Sequence, residues 1–403
     1  MSSHSLTGPP TRSDFSRKSV TLTESLLLLS LVSIFLPWKV YPVFFLISSF
    51  FFVRESWSIH LNKWMIALAV YVGYGLVVVG LTYSGSSQEI GNAAKLLVNP
   101  LFLVCSIHWL SKRENTRLTH FLDWTLGILL LLSLLQLLVY HASFDFRLIL
   151  GSDTSGQASG LYRPGLYYWG LDDKNMFGAR IALLGFVFVF IPVLQKHKLS
   201  AVRILFVFLI AFLSLSRTPM VALLIGIFAL SWMILERKWR IVLLVAVAIA
   251  LPFFLTQVVR IDSITSSNDG MGIRIVYWTA FFTHFSELSI WGGGFLEARD
   301  FLQENAKFYR GEPHIHNTFM TTYVEFGIIG FLAFTAFIGL FFQACLQRIG
   351  QIGMLIVLFL PILAIMMILY SGYDNDVAVY FVLIWLVGSQ HAIDFHHTKI
   401  KTL

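Results

Sequence analysis

Charged residues are scarce in this sequence. Asp, Glu, Lys and Arg make up 13% of its 403 residues, whereas hydrophobic residues make up 57% and the mean hydropathy is +0.74. Soluble domains carry about 25% charged residues, so the composition excludes an ordinary soluble domain. It predicts an all-α polytopic membrane protein.

Cysteine is nearly absent as well. Cys105 and Cys345 fall in or near the cytoplasmic halves of the apolar stretches described below, so we expect no disulfide between them and no cysteine metal site. No internal repeat is visible, which disfavours transporter folds built from duplicated halves. The first apolar stretch is followed by Pro37-Trp38-Lys39 instead of small residues, so no cleavable signal peptide is expected.

About twelve apolar stretches approach the length needed to cross about 30 Å of hydrocarbon. The first two are short and could form one re-entrant hairpin. The stretches lie near residues 22–37, 40–53, 64–82, 94–110, 124–141, 176–194, 202–216, 219–235, 241–256, 318–343, 352–370 and 377–392.

Lys and Arg are distributed unevenly between the two sides of these stretches. If Arg12, Arg17 and Lys18 are cytoplasmic, most basic residues of the connecting segments share that side, as the positive-inside rule requires. The sequence therefore predicts a disordered cytoplasmic amino terminus (1–21), a membrane domain (22–394) and a cytoplasmic tail (395–403). The net charge of +7 is then explained by cytoplasmic turns, and no nucleic-acid partner is expected.

Two long polar segments, 142–175 and 257–315, face outward in this topology. The first is rich in Gly, Ser and Tyr, which suits a sugar-facing surface or, as we favour, an interfacial aromatic belt. The second is too long for a passive connector. Its pattern predicts a helix over 271–289, a break at three glycines (292–294), and an amphipathic stretch from Phe295 to Arg310. The apolar residues of that stretch, predicted to lie on the membrane surface, are Phe301, Leu302, Phe308 and Tyr309.

Arg217 lies in a tight outward turn between two apolar stretches. Pro219 fits the first turn of the following helix, and Ser216 or Thr218 suits its N-cap. Free N–H groups of a helix start beside an arginine make an anion site suited to phosphate. The alternative is an interfacial arginine whose side chain extends to lipid head groups.

Arg274, at the start of the first loop helix, gains interest because the same segment ends in two histidines. Two arginines can neutralise a diphosphate by bidentate hydrogen bonds without a metal. His314 and His316 form a His-x-His pair, and zinc would need further ligands such as Glu312 or Glu325. A metal is therefore disfavoured, and histidine's ordinary pKa suits it to proton transfer instead.

Asn317 is predicted to cap the helix that follows the histidines. Gly327 and Gly330, three residues apart, predict a close-packing helix face that holds the histidine-bearing end rigidly.

Three acidic residues are further candidates. Glu325 lies about two turns into the span after the histidines, and Asp374 and Asp376 occupy an outward turn. Intramembrane carboxylates are functional candidates by default, so one of the three could orient the imidazole. For the aspartate pair, a solvated turn is an equal alternative. Asp172 and Asp173 suggest a metal, but Lys174 in the same turn opposes one.

These features together resemble the bacterial O-antigen ligase and polymerase-related family of membrane glycosyltransferases. The similarity rests on His316-Asn317 followed, after nine residues, by Gly327-Ile-Ile-Gly330. It also rests on the turn at 216–217, the helix start at 274–278 and the Trp-Gly-Gly-Gly-Phe stretch at 291–295. It is strongest over residues 170–330.

The resemblance implies a GT-C-like fold and transfer of a glycan from undecaprenyl diphosphate at the periplasmic face of the inner membrane. It implies an inverting, metal-independent reaction without a cofactor. A ligase, the alternative we favour, would use a sugar hydroxyl of lipid A–core as acceptor, and a polymerase would use another carrier-linked repeat unit.

Mapped onto this sequence, Arg217 and Arg274 would bind the donor diphosphate. His316 would be the general base or would position the acceptor hydroxyl, and His314 could share that role. A lipid-linked sugar transporter is the alternative of another class. It is disfavoured because the ionisable residues cluster at the outer rim and are not spread through the membrane midplane.

Overall fold

The computed structural model describes residues 20–36, 38–56, 61–147, 174–253, 270–388 and 401–402. Over these residues the chain forms fourteen α-helices, one 3₁₀ helix at Phe285–Glu287 and two short strands. The helices are α1 Leu22–Ser33, α2 Tyr41–Glu55, α3 Lys63–Thr82, α4 Ser87–Ser111, α5 Thr116–Ala142, α6 Lys174–Lys196, α7 Ala201–Leu213, α8 Arg217–Ile234, α9 Arg237–Phe253, α10 Gly270–Thr283, α11 Glu297–Asn305, α12 Thr318–Ile349, α13 Ile352–Met366 and α14 Asn375–Gly388. The strands are β1 Lys198–Leu199 and β2 Lys401–Thr402.

Each of the twelve apolar stretches found in the sequence overlaps one helix, from α1 to α9 and from α12 to α14. Six of these helices (α3, α4, α5, α6, α8 and α12) are long and apolar enough to cross a membrane, and α1, α7, α13 and α14 are shorter apolar helices. The prediction of an all-α membrane protein is therefore confirmed. The number of about twelve crossings and the GT-C-like arrangement stay predictions.

Several predicted segments fall outside the described residues. They include most of the amino terminus 1–21, most of the tail 395–403 and the greater part of the segment 142–175. The sugar-facing and aromatic-belt alternatives for that segment, and the Asp172-Asp173 pair, therefore stay at the level of the sequence.

Helix α6 forms the centre of the bundle. An apolar stretch of 18 residues within Asn175–Lys196 is completely buried, and the helix contacts α5, α7, α8, α13 and α14. Glycines at the contacts allow close approach of the helices: Gly185 of α6 meets Val207 of α7, and Gly226 of α8 meets Phe186 of α6.

The segment between α9 and α12 has a hydrophobic cluster of its own, formed by α10, α11 and the start of α12. The placement of Phe301 and Leu302 on the membrane surface was wrong. Their side chains are 5% and 0% exposed because they pack inside this cluster, and Phe308 and Tyr309 lie partly buried against it. Helix α11 is also shorter than the predicted amphipathic stretch.

Helix α12 is broken at Gly327, whose φ of 61° and ψ of −164° are not helical. The loop after α10 hydrogen-bonds across the break: the N–H groups of Gly293 and Gly294 donate to the carbonyls of Val324 (3.0 Å) and Glu325 (2.9 Å). The N–H of Ile328 donates to a carbonyl of the same loop at 2.8 Å. The interpretation of Gly327 as a plain helix-packing glycine is therefore wrong, because its conformation and this close loop require glycine.

One feature departs from a purely helical fold. Strand β1, in the turn between α6 and α7, pairs in parallel with β2 near the end of the chain. Each strand has two residues, so the pairing is local. It places residues 401–402 and the α6–α7 turn at the same end of the bundle.

Candidate functional site

His316 immediately precedes α12 and is held on its carboxyl side by a helix cap. The side chain of Asn317 accepts hydrogen bonds from the N–H groups of Phe319 (3.0 Å) and Met320 (3.1 Å), which confirms the predicted N-cap. Thr318 donates to the carbonyl of Tyr370 at 2.5 Å. His316 itself has a φ of 58°, a left-handed conformation that is uncommon for a residue with a side chain.

The His316 ring is 8% exposed and lies parallel to Tyr277 of α10, with ring centroids 5.9 Å apart and an angle of 4° between the planes. Its Nε2 is 4.0 Å from Oε1 of Glu312. The other oxygen of Glu312 accepts a hydrogen bond from the Tyr277 hydroxyl at 2.5 Å. Tyr277, Glu312 and His316 thus form a connected chain of polar groups.

The sequence had offered Glu312 only as a further metal ligand, and Tyr277 lay in the predicted helix 271–289 without a role of its own. The structure instead places both beside His316.

Glu312 is ionised at neutral pH. Burial raises its pKa, but the contacts with His316 and Tyr277 outweigh that effect and lower the pKa to about 2. An ionised carboxylate only accepts hydrogen bonds, so it favours the His316 tautomer that carries its proton on Nε2. Nδ1 then bears the lone pair, and among the described residues this atom is buried without a hydrogen-bond partner.

His314 stands beside His316, with ring centroids 4.7 Å apart and the planes at 80°. Burial lowers the pKa of His314 to about 3; interactions with His316, Arg274 and Lys95 act in the same direction, and the interaction with Glu312 opposes them. His314 is therefore neutral at pH 7 and a weak proton acceptor. Its Nε2 is also buried without a partner among the described residues, which suits it to hydrogen-bond a substrate.

Arg274 lies about one turn before Tyr277 on α10, on the helix face that packs against His316. It is half-buried on α10 and its Nε donates to the carbonyl of Ile368 at 3.4 Å. Its charge acts on His314, as described above. The structure therefore brings together Arg274, His314 and His316, which the sequence had grouped only as members of one loop.

Arg217 is the first residue of α8 and is half-buried. Helix α8 lies antiparallel to α13, since Gly226 packs against Pro361 and Met233 packs against Gly353. This register places Arg217 level with the turn after α13, the same turn whose Ile368 carbonyl binds Arg274. Both arginines therefore lie at the same end of the bundle.

The cap expected at this helix start is only partly observed. Ser216 occupies the N-cap position, but its hydroxyl makes no cap hydrogen bond and donates to Asn175 of α6 at 2.8 Å. Leu215, just before it, has a φ of 56°. The turn at 213–217 is thus held to α6 by the hydrogen bond from Ser216 to Asn175, and its backbone is strained at Leu215.

Asp374 and Asp376 are 9% and 3% exposed, so the alternative of a solvated turn is wrong. Asp376 accepts two hydrogen bonds from Arg180 of α6, at 2.7 and 3.2 Å, which neutralise its charge inside the bundle. Asp374 lies 3.8 Å from the Lys95 ammonium. Arg180 is a residue that the sequence interpretation missed, although a single arginine in an apolar stretch was a visible signal.

Glu325 also has a partner other than the histidines. It is 2% exposed and accepts a hydrogen bond from the Tyr373 hydroxyl at 3.1 Å. None of the three carboxylates that the sequence offered for orienting the imidazole (Glu325, Asp374 and Asp376) faces His316. The carboxylate that faces it is Glu312. Among the described residues, no three His, Cys, Asp or Glu side chains lie close enough together to hold a metal ion.

The fold and site define a class: a polytopic α-helical membrane protein in which Arg217, Arg274 and the two histidines lie at the same end of the bundle. Residues 202–335 match the family model for O-antigen ligase (Wzy_C). This part of the chain runs from α7 into α12 and contains Arg217, Arg274, His314 and His316.

The resemblance to the O-antigen ligase-related family is thereby confirmed for residues 202–335. The match supports a membrane glycosyltransferase of the ligase or polymerase type. A comparison with curated proteins gives no match.

Proposed function

We propose that this protein transfers an O-antigen glycan from undecaprenyl diphosphate to a sugar hydroxyl of lipid A–core at the periplasmic face of the bacterial inner membrane. The observation that carries the proposal is His316, which faces an ionised Glu312 with one ring nitrogen and whose other ring nitrogen is buried without a partner among the residues that the structure describes. The family match over residues 202–335 supports it.

In this mechanism Nδ1 of His316 takes the proton of the acceptor hydroxyl while the hydroxyl oxygen attacks the anomeric carbon of the donor. The new C–O bond forms as the bond between that carbon and the diphosphate oxygen breaks, with inversion. Glu312 stabilises the imidazolium that results. His314, neutral at pH 7, would hydrogen-bond the acceptor or the donor sugar.

Arg217 and Arg274 would bind the donor diphosphate and offset the charge that grows on it as it leaves. Guanidinium groups suit this task because they stay charged and bind phosphate oxygens in pairs. A diphosphate is already a good leaving group, so the remaining catalytic work is positioning, charge stabilisation and the transfer of one proton. No metal or cofactor is required by this scheme.

The periplasmic placement rests on the distribution of Lys and Arg along the chain. The β1–β2 pairing supports it, because the sequence assigns both the α6–α7 turn and residues 401–402 to the cytoplasm. The site lies at the start of α6, α8 and α12, which is the other end of the bundle.

A repeat-unit polymerase is the second candidate, since it would use the same donor and chemistry with another carrier-linked glycan as acceptor. The match to a family described as O-antigen ligase favours the ligase. A lipid-linked sugar transporter remains the candidate of another class.

Reconstitution of the full chain in liposomes with undecaprenyl-diphosphate-linked glycan and lipid A–core tests the proposal. A ligase produces glycan joined to lipid A–core. A longer carrier-linked glycan would identify a polymerase, and movement of the donor across the bilayer without a new glycosidic bond would identify a transporter. Gels of lipopolysaccharide from a deletion strain separate the two enzymes independently, because loss of a polymerase leaves core bearing one repeat unit.

A further inference from the structure

Helix α4 carries a polar stripe that the proposed mechanism does not use. Gln88, Asn92, Lys95 and Asn99 recur at spacings of four, three and four residues, which places them on one face of the helix. The helix is otherwise apolar enough to cross a membrane. A polar face on such a helix avoids lipid and lines the interior of the bundle or a polar cavity.

The stripe lines a cavity of about 660 Å³ at the same end of the bundle as His316. The ends of α1 and the starts of α2, α6 and α14 complete its walls, with Ser33, Tyr41 and Asn375 among the polar side chains. Sites for small ligands have volumes of about 300–1,000 Å³, so the cavity has room for several sugar rings.

Two buried amides in the wall have atoms without a hydrogen-bond partner among the described residues. They are Oδ1 of Asn99, an acceptor on a side chain 1% exposed, and Nδ2 of Asn375, a donor on a side chain 7% exposed. A buried polar atom without a partner is costly and rare in proteins. Sugar hydroxyls both donate and accept, and so could satisfy atoms of both kinds.

Lys95 supplies a positive charge at the mouth of the cavity. Its side chain is 38% exposed, and its ammonium is 3.8 Å from Asp374, beyond ordinary hydrogen-bond distance. The second aspartate of this turn, Asp376, is already neutralised by Arg180. An anionic group entering the cavity would therefore be attracted by the charge of Lys95. Asp374, which is only loosely paired with Lys95, would oppose this attraction.

The turn at 367–374 separates this cavity from the arginines assigned to the donor. Its Ile368 carbonyl binds Arg274 on one side, while its Tyr373 carbonyl binds Asn99 of the cavity wall on the other, at 2.8 Å. The segment that carries the histidines also contacts this turn, because Thr318, two residues after His316, donates to the carbonyl of Tyr370. A ligand in the cavity would thus be separated from Arg274 by this turn.

We propose that this cavity binds the acceptor saccharide through its hydroxyl groups, with a phosphate or carboxylate substituent of that saccharide held by Lys95. The assignment of the ligand as acceptor rests on the proposed function. The cavity itself is a saccharide site of defined chemistry, and binding can be measured without catalysis.

The first experiment measures binding of a lipid-free phosphorylated core oligosaccharide to the purified full-length protein, with the dephosphorylated oligosaccharide as the second probe. We expect Lys95→Ala to weaken binding of the phosphorylated probe about 10-fold or more, Lys95→Arg to retain most of it, and the dephosphorylated probe to bind all three proteins alike. Lys238→Ala is the matched control, because this exposed lysine lies at the other end of the bundle. Equal binding by the wild type and Lys95→Ala would overturn the proposal.

The second experiment measures transfer kinetics with each substrate varied in turn. Asn92→Ala, which leaves the Lys95–Asp374 pair intact, should raise KM for the acceptor and leave KM for the donor unchanged. A rise confined to the donor KM would place the donor in the cavity and overturn the assignment. Lys95-dependent binding by a protein that forms no glycosidic bond would uphold the saccharide site while refuting the proposed function.

Discussion

Glu312 and His316 face each other across 4.0 Å, carboxylate oxygen to Nε2, just before the first turn of α12. Tyr277 hydrogen-bonds the second carboxylate oxygen and lies parallel to the imidazole, while Asn317 caps the helix that follows. The pair therefore defines which nitrogen of His316 points toward a substrate.

Replacement of His316 by alanine should abolish glycan transfer while the protein still inserts, because the acceptor hydroxyl loses its base. A general base contributes about 10²- to 10⁴-fold to a rate, and we expect a loss of at least that size in kcat. The measurement is transfer by reconstituted protein at matched membrane abundance. Near-normal transfer by the variant would refute the role. His314→Ala should retain more activity, since the low pKa of His314 makes it a poor base.

Glu312→Gln keeps an acceptor for the Tyr277 hydroxyl but removes the charge that stabilises the imidazolium. We expect kcat to fall at least about 10-fold with little change in either KM, and Glu312→Asp to restore part of the loss. A variant that loses kcat and acceptor binding together, with no rescue by aspartate, would indicate a purely structural role for Glu312.

Alanine at Arg217 or Arg274 should abolish transfer, because each guanidinium is assigned to the departing diphosphate. Removal of one group that stabilises developing charge costs about 10²- to 10³-fold in kcat. Lysine at either position should restore only part of it, since an ammonium binds phosphate as a single point. Arg299→Ala serves as a control, because this arginine of α11 pairs with Asp300 at the surface. Full activity of either alanine variant would exclude that arginine from the donor site.

Hydropathy was enough to locate the twelve apolar helices, since the membrane imposes helical structure on an apolar stretch. The proximity of Arg274 to the histidines and the cap at Asn317 were also predicted, because both follow from neighbours along one segment. Local patterns of this kind are properties of the sequence itself.

What the sequence could not supply depends on contacts between distant segments. Arg180 and Asp376, and Lys95 and Asp374, come from different helices whose arrangement no periodicity reveals. Glu312 was offered only as a further metal ligand, because its contact with Tyr277 comes from a different helix. The spacing of Gly327 and Gly330 predicted packing against another helix. The segment that packs against Gly327 is instead the loop at residues 290–294, which the spacing could not reveal.

Acidification should destabilise the protein through His314. Burial lowers its pKa from 6.5 to about 3, so between these two values the unfolded chain binds a proton that the folded chain does not. Stability therefore falls as the pH drops from about 6.5 toward 3. His314→Gln removes this contribution, so its melting temperature should fall less between pH 7.5 and pH 5 than that of the wild type. Equal losses in the two proteins would contradict the assignment.

Gly327→Ala should disrupt the junction that links the loop after α10 to α12. A Cβ at this position would lie 2.1 Å from the carbonyl oxygen of Ile290, and the φ of 61° is strained for any residue with a side chain. The strain alone costs about 1–3 kcal/mol, and displacement of the loop would add to it.

Gly339→Ala is the matched control in the same helix, because no atom lies within 4 Å of its Cβ position. We expect Gly327→Ala to lower both the melting temperature and transfer activity, since the junction supports the helix that carries His316, whereas Gly339→Ala should match the wild type. Indistinguishable melting temperatures for the two variants would show that the break at Gly327 is not needed for stability.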